Sequence, residues 1–166
     1  MRVSLIRATI VHVRIRGDTD PADVYASPMK VLIVGCGRVG SALALRMTDD
    51  GHDVTVIDED PEALGRLPED WPGRFLQGHG LDTDVLIDAG IETADAAIIA
   101  TDGDNTNIVI AQVAQKRFDV PCVITRVLDP ARAKFYKSLG LQTICATSAV
   151  IDTAFQAICD NPGRAA

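Results

Sequence analysis

The hexapeptide Gly35-Cys36-Gly37-Arg38-Val39-Gly40 has the G-x-G-x-x-G spacing that brings backbone close to a pyrophosphate. In such a turn Gly35 permits the tight bend, and Gly37 leaves out the Cβ that would stand between backbone and phosphate. Gly40 lets the following helix pack closely on its strand. A helix starting there offers free N–H groups and the positive end of its dipole to the phosphates. Asp58 stands 23 residues beyond Gly35. A carboxylate at that place can accept hydrogen bonds from both hydroxyls of a ribose and repels a 2′-phosphate, which favours NAD or an adenine nucleotide over NADP. Against this stands the plainer reading of Asp58 as a solvated loop acid beside Glu59 and Asp60. Arg38 inside the loop can pair with a phosphate, or sit as a surface arginine on a first helical turn. Gly40 is followed by Ser41 rather than the lysine a phosphate-binding P-loop requires.

Residues for catalysis are much harder to find. The three histidines are His12, His52 and His79, and the two tyrosines are Tyr25 and Tyr136. None falls where a hydride-transfer enzyme of this kind would hold its acid or base, and the chain has no stretch left over for a substrate domain. The four cysteines, Cys36, Cys122, Cys145 and Cys159, form no CxxC pair and have no histidine pairs nearby. They read as buried free thiols in a reducing compartment, and no metal site is expected.

The elements that must hold the glycine turn and its acid alternate in type. Val31–Val34 is wholly apolar, as in a strand buried on both faces of a parallel sheet. Val39, Leu43 and Met47 then recur at helical spacing up to Gly51. Val54–Ile57 reads as a second strand, and Asp60-Pro61-Glu62 opens a short helix with a capping acid before a first-position proline. A third strand is expected near Phe75–Leu76 and a helix over Asp82–Ala89. Ala96–Ala100 and Cys122–Val127 read as the fourth and fifth strands, separated by a helix over Thr106–Phe118. A helix over Pro130–Ser138, a sixth strand at Thr143–Cys145 and a last helix over Ser148–Cys159 complete the pattern. Strict alternation with right-handed crossovers predicts an α/β, Rossmann-like, doubly wound parallel sheet of six strands with helices on both faces.

Composition narrows the function classes. With 166 residues, 47% hydrophobic, the chain can bury a sizeable core. A net charge of −7 and an aromatic content of 4% argue against nucleic acid as a partner and against an anionic membrane surface. The longest clear apolar run, Ala96–Ala100, falls far short of the roughly 20 residues a spanning helix needs, so no direct membrane insertion is expected. Residues 1–28 differ from the rest: four arginines against three aspartates, a strand-like alternation within Met1–Arg16, then a turn-rich stretch. Arg7, His12 and Arg14 interrupt any secretory signal. This extension reads as an upstream extension of the reading frame, an artificial leader, or a strand added to a sheet edge. No function attaches to it.

Several stretches together carry a family resemblance. They are Met29-Lys30-Val31 leading into the glycine hexapeptide, Val56-Ile57-Asp58-Glu59-Asp60-Pro61, Gly78-His79-Gly80, Ala89-Gly90-Ile91 and Ala94-Asp95-Ala96-Ala97-Ile98-Ile99. Further on come Thr106-Asn107, Val120-Pro121, Thr125-Arg126-Val127 and Leu139-Gly140. Residues 29–148 resemble the RCK domain, also called KTN or TrkA N-terminal domain, the nucleotide-binding regulator of Trk- and Ktr-type potassium uptake. The resemblance implies a non-enzymatic regulatory subunit that binds NAD(H), ATP or ADP and controls a membrane-embedded potassium transporter subunit by ligand-dependent conformational change. It further implies a cytoplasmic location, peripheral to the inner face of the membrane through that partner.

Carried over position by position, the resemblance assigns the nucleotide to Gly35, Cys36, Gly37, Arg38, Val39, Gly40, Asp58, Glu59, Gly78, His79, Thr101, Asp102, Asn107 and Arg126. Thr101 and Asp102 would line the wall opposite Asp58, and Asn107 matches the family asparagine that opens the next helix. Where many members have Gly-Asp-Ala-Thr, this chain has Gly78-His79-Gly80-Leu81, so the acid that meets the adenine is replaced by His79. Family subunits often continue into a further ligand-binding domain; the chain is thus one module of a longer subunit or a single-module protein. Residues 149–166 form a last helix whose Val150, Ile151, Ala154, Phe155 and Ile158 share one face. In the family this helix crosses to a neighbouring subunit, which implies a homo-oligomer with the dimer as building unit. The alternative function is a small NAD-dependent oxidoreductase or NAD(H) redox sensor.

Overall fold

The computed structural model describes residues 27–160, so the alternation within Met1–Arg16 lies outside the described residues. Six strands form one parallel sheet in the order β3-β2-β1-β4-β5-β6: β1 Lys30–Val34, β2 Asp53–Asp58, β3 Arg74–Gln77, β4 Ala96–Ile99, β5 Cys122–Arg126 and β6 Gln142–Ile144. The order reverses between β1 and β4, leaving a crevice outside the carboxyl ends of the strands at that point. The connections are α1 Arg38–Asp49, a 3₁₀ turn Pro61–Arg66, α2 Thr83–Asp88, a second 3₁₀ turn Ile91–Thr93, α3 Asp104–Lys116 and α4 Pro130–Ser138. A last helix, α5, spans Ala146–Cys159.

Two cores flank the sheet, as a doubly wound fold requires. On one face Val31, Ile33, Val54 and Val56 pack with Cys36, Ala44 of α1, Ala63 of the first 3₁₀ turn and Leu67. On the other, Leu32, Val34, Ile57, Ala97 and Ile99 pack with Leu86 of α2, Ile91, and Ile108, Ala111 and Ala114 of α3. Burial on both faces explains why Val31–Val34 carries no polar residue.

Element starts follow two patterns, and the difference positions the site. Asp60, Asp82 and Asp129 cap their segments, each side chain accepting a backbone N–H from Glu62, Asp84 and Arg132 respectively. By contrast α1 and α3 begin after Gly37 and Gly103, with no side-chain cap on either among the described residues. Their first-turn N–H groups are therefore left for something else.

Some boundaries differ from expectation for local reasons. The short helix expected after Asp60-Pro61 is present and is of the 3₁₀ type. The last helix starts at Ala146 rather than Ser148, because the Cys145 thiol accepts the Ser148 N–H at 3.4 Å and so caps it, and the sixth strand ends at Ile144. None of the residues of α5 is buried: Val150 is 68% exposed and Phe155 63%. The two 3₁₀ turns and α1 to α4 already cover the sheet.

Candidate nucleotide-binding site

β1 ends in a turn that only glycine can make. Gly35 has φ +101°, and a Cβ there would stand 2.8 Å from the backbone of Ala100 and Thr101, where β4 ends. At Gly40 a Cβ would come within 1.8 Å of the Gly35 carbonyl oxygen, so α1 lies directly against the turn. Gly37 is different. Its φ of −75° is open to any residue, and a Cβ would meet no protein atom within 4 Å. Packing and backbone geometry both leave Gly37 unexplained; the open space in front of it does not.

That space is a cleft of about 720 Å³ along the carboxyl ends of the strands. Gly35, Gly37, Arg38 and Val39 form its floor; Asp58, Glu59, Gly78 and His79 form one wall, and Thr101, Asp102 and Arg126 the other. A smaller hollow of about 230 Å³ lies at the opposite end of the strands, around Lys30, Asp53 and Arg74, away from the glycine turn.

Asp58 ends β2 and is tied to the loop. One carboxylate oxygen accepts the Cys36 N–H at 2.5 Å and the other accepts the Asp60 N–H at 3.0 Å. Each oxygen keeps a further lone pair for a ribose hydroxyl. Next to it, His79 Nδ1 accepts the Leu81 N–H at 3.2 Å, which leaves Nε2 to donate towards Glu59 Oε2 at 3.5 Å. The pair joins the loops that follow β2 and β3, and both side chains are mostly exposed.

Three of the residues expected at the site do not line the cleft; they hold it in shape. Cys36 is fully buried, and its thiol faces the Ala63 carbonyl at 3.4 Å. Burial, reinforced by the Asp58 charge and opposed by Arg66, pushes that thiol above its ordinary pKa of 9.0. Gly40 supports the turn from below. Asn107 is likewise fully buried, and its side chain is spent on the fold. Its Oδ1 accepts the Thr101 N–H at 3.0 Å and the Thr101 hydroxyl at 2.6 Å, and its Nδ2 donates to the Thr101 and Arg126 carbonyls at 3.0 Å. It clamps the ends of β4 and β5 together. Arg126 also donates through Nη2 to the Thr101 carbonyl, while its buried Nε finds no acceptor among the described residues.

The cleft also contains residues that sequence reasoning passed over: Asp60, Arg66, Thr106, Leu128 and Ala146. Thr106 enters with the uncapped start of α3. Ala146 is the first residue of α5, and Leu128 lies in the loop between β5 and α4.

The match to known proteins is consistent with this geometry. Residues 31–147 match the TrkA-N domain model. Over 116 residues the chain is 47% identical to the Trk system potassium uptake protein TrkA of Streptomyces coelicolor, covering 70% of this chain and 52% of that protein. The chain thus spans about half the length of that relative. Among solved structures it is similar to the TrkA-N domain of inner membrane protein ybaL from Escherichia coli. That match has a TM-score of 0.70 and 19% identity, over 79% of this chain and 97% of that one. GsuK bound to ADP matches with a TM-score of 0.65 and 19% identity, over 80% of this chain and 34% of that one. The GsuK channel bound to NAD matches with 0.59 and 19%, over 71% and 21%. At these identities the likeness to solved structures concerns the fold.

Proposed function

The chain belongs to the TrkA-N domain family, and from that premise we propose that it is a nucleotide-binding regulatory module of a potassium-uptake system. The observation that carries the nucleotide part is the open space before Gly37, between two helix starts that no side chain caps. Oriented N–H groups of that kind are suited to phosphates.

The ligand is an adenine nucleotide, NAD(H) or ATP/ADP. Its phosphates lie on the turn at Gly35, Gly37, Arg38 and Val39, with Cys36 and Gly40 shaping it. Its ribose lies on Asp58, and its base lies toward Glu59, Gly78 and His79. Thr101, Asp102 and Arg126, braced by Asn107, form the far wall. Solved relatives of the fold described as bound to ADP and to NAD support this ligand class. Ligand occupancy shifts the module between conformations and thereby controls a membrane-embedded potassium transporter subunit. The module acts as a peripheral protein at the cytoplasmic face. It assembles as a homo-oligomer built from dimers, with the apolar face of α5 as contact. The potassium-uptake relative supports regulation rather than catalysis.

Calorimetry with NAD, NADH, ATP and ADP, combined with an assay for NADH consumption on small carbonyl compounds, tests the reading. Saturable binding without turnover is expected. Failure to bind any of the four overturns the nucleotide assignment, and turnover replaces regulation with oxidoreductase chemistry.

A further inference from the structure

The cleft holds a third arginine besides those of the glycine loop and β5. Arg66 ends the 3₁₀ turn Pro61–Arg66 and lines the cleft in the same wall as Asp58 and Asp60. A 3₁₀ turn has three residues per turn, so residues three apart stack in one row. Arg66 therefore stands in line with Ala63, which is buried against the sheet and whose carbonyl faces the Cys36 thiol at 3.4 Å. The guanidinium is close enough to the loop to act on that buried thiol.

Its backbone is anchored on both sides. Asp60 caps the turn through the Glu62 N–H at 2.9 Å, Pro61 occupies the first position, and Leu67 is buried directly after Arg66. The side chain, by contrast, makes no ion pair and no hydrogen bond among the described residues, although Asp58, Glu59 and Asp60 line the same cleft. Those acids are already engaged. Asp58 holds the Cys36 and Asp60 N–H groups, Asp60 holds the Glu62 N–H, and Glu59 faces His79. A fixed backbone, a place in the cleft lining and a guanidinium with no partner among the described residues describe a cation held for an anionic partner from outside the chain.

We infer that Arg66 pairs with a phosphoryl group of the bound nucleotide other than the one seated on the glycine loop. This rests on the nucleotide reading given above. The same chemistry has two sources, a terminal phosphate of a tri- or diphosphate and, against the repulsion of the Asp58 carboxylate, a phosphate carried on the adenosine ribose. Arg38 serves the loop side, Arg66 the side of β2, and together they set which phosphorylation states the cleft holds tightly.

The test is calorimetry on the full chain and on Arg66→Ala and Arg66→Lys, with AMP, ADP, ATP, NAD and NADP. Arg66 is exposed and its substitution leaves both cores untouched, so circular dichroism and the melting temperature should match the parent. Arg66→Ala is expected to weaken binding roughly three- to tenfold for the ligand carrying the extra phosphate, with little change for its partner lacking it. Arg66→Lys should recover part of the loss. A loss that grows from AMP to ATP supports the inference through a terminal phosphate; a loss confined to NADP over NAD supports it through the ribose. Unchanged affinities, or an equal loss for every ligand including AMP and NAD, overturn it while leaving the nucleotide site standing. A parent chain that binds none of the five overturns both.

Discussion

The carboxylate of Asp58 accepts the backbone N–H of Cys36 at 2.5 Å, joining the end of β2 to the middle of the glycine turn after β1. The acid proposed to hold the ribose is thus also a strut of the loop proposed to hold the phosphates. In that proposal ligand contact and loop shape share one side chain.

Replacing Asp58 with Ala should accordingly be the most damaging side-chain change at the site. Two hydrogen bonds to a charged acceptor are lost together with the support of the loop. Calorimetry with NAD or ATP should show binding weakened by about 2–4 kcal/mol. An unchanged affinity would mean that Asp58 does not meet the ligand.

Gly37→Ala and Gly40→Ala should separate binding from folding. At Gly40 the new Cβ would collide with the Gly35 carbonyl, so the fold should lose at least about 2 kcal/mol by denaturant titration. At Gly37 it enters open space, and stability should stay within about 1 kcal/mol while nucleotide binding falls sharply. Equal effects of the two variants on stability would remove the argument that Gly37 is reserved for a ligand.

Much of this site is legible in the sequence because each part has a chemical signature that survives without coordinates. The turn glycines, the acid at the end of β2 and the pure apolar β1 are of that kind. Arg66 is not. Its direction depends on the period of the segment that follows Asp60-Pro61: read as an α-helix, three residues turn through 300° and Arg66 falls off the Ala63 row, whereas the 3₁₀ turn aligns the two. Asn107 shows the opposite case. Its residue type suits a ligand, but burial and four hydrogen bonds commit it to joining β4 to β5. Nothing in its spacing distinguishes the two roles. The start of α5 was shifted by a thiol cap, which sequence patterns seldom signal.

Of the four cysteines expected to be buried only Cys36 is, with Cys122 and Cys145 half-buried and Cys159 exposed; the thiols of Cys36 and Cys122 give a pH dependence with a definite sign. Burial raises the pKa of Cys36 and of Cys122 above 9.0, so the folded chain keeps their protons longer than the unfolded chain does. Their contribution to stability is complete below about pH 9 and is lost as pH rises through the folded values. The melting temperature should fall on going from pH 8.5 to 10.5, and less steeply in Cys36→Ala. A fall of equal slope in both chains would show that the Cys36 thiol is not held neutral by the fold.

Self-association should run through α5. Val150, Ile151, Phe155 and Ile158 are all more than half exposed, and each would gain about 1.5–3 kcal/mol on full burial against a second copy. The contact is apolar and should survive high salt despite the net charge of −7. Light scattering at tens of micromolar should give a dimer or a multiple of it, and Ile151→Asp with Phe155→Asp should give a folded monomer. A monomeric parent chain, or a double variant that still dimerises, would take α5 out of the interface.

The nucleotide site itself is tested most directly by following backbone amides of the folded chain by nuclear magnetic resonance during titration with ADP and, separately, NAD. Saturable shifts are expected at Gly35–Gly40, at Asp58–Asp60 and at Gly78–His79, with the hollow around Lys30, Asp53 and Arg74 unaffected. Amides of the glycine turn that stay in place at millimolar concentrations of both ligands would contradict the assignment of this cleft to a nucleotide.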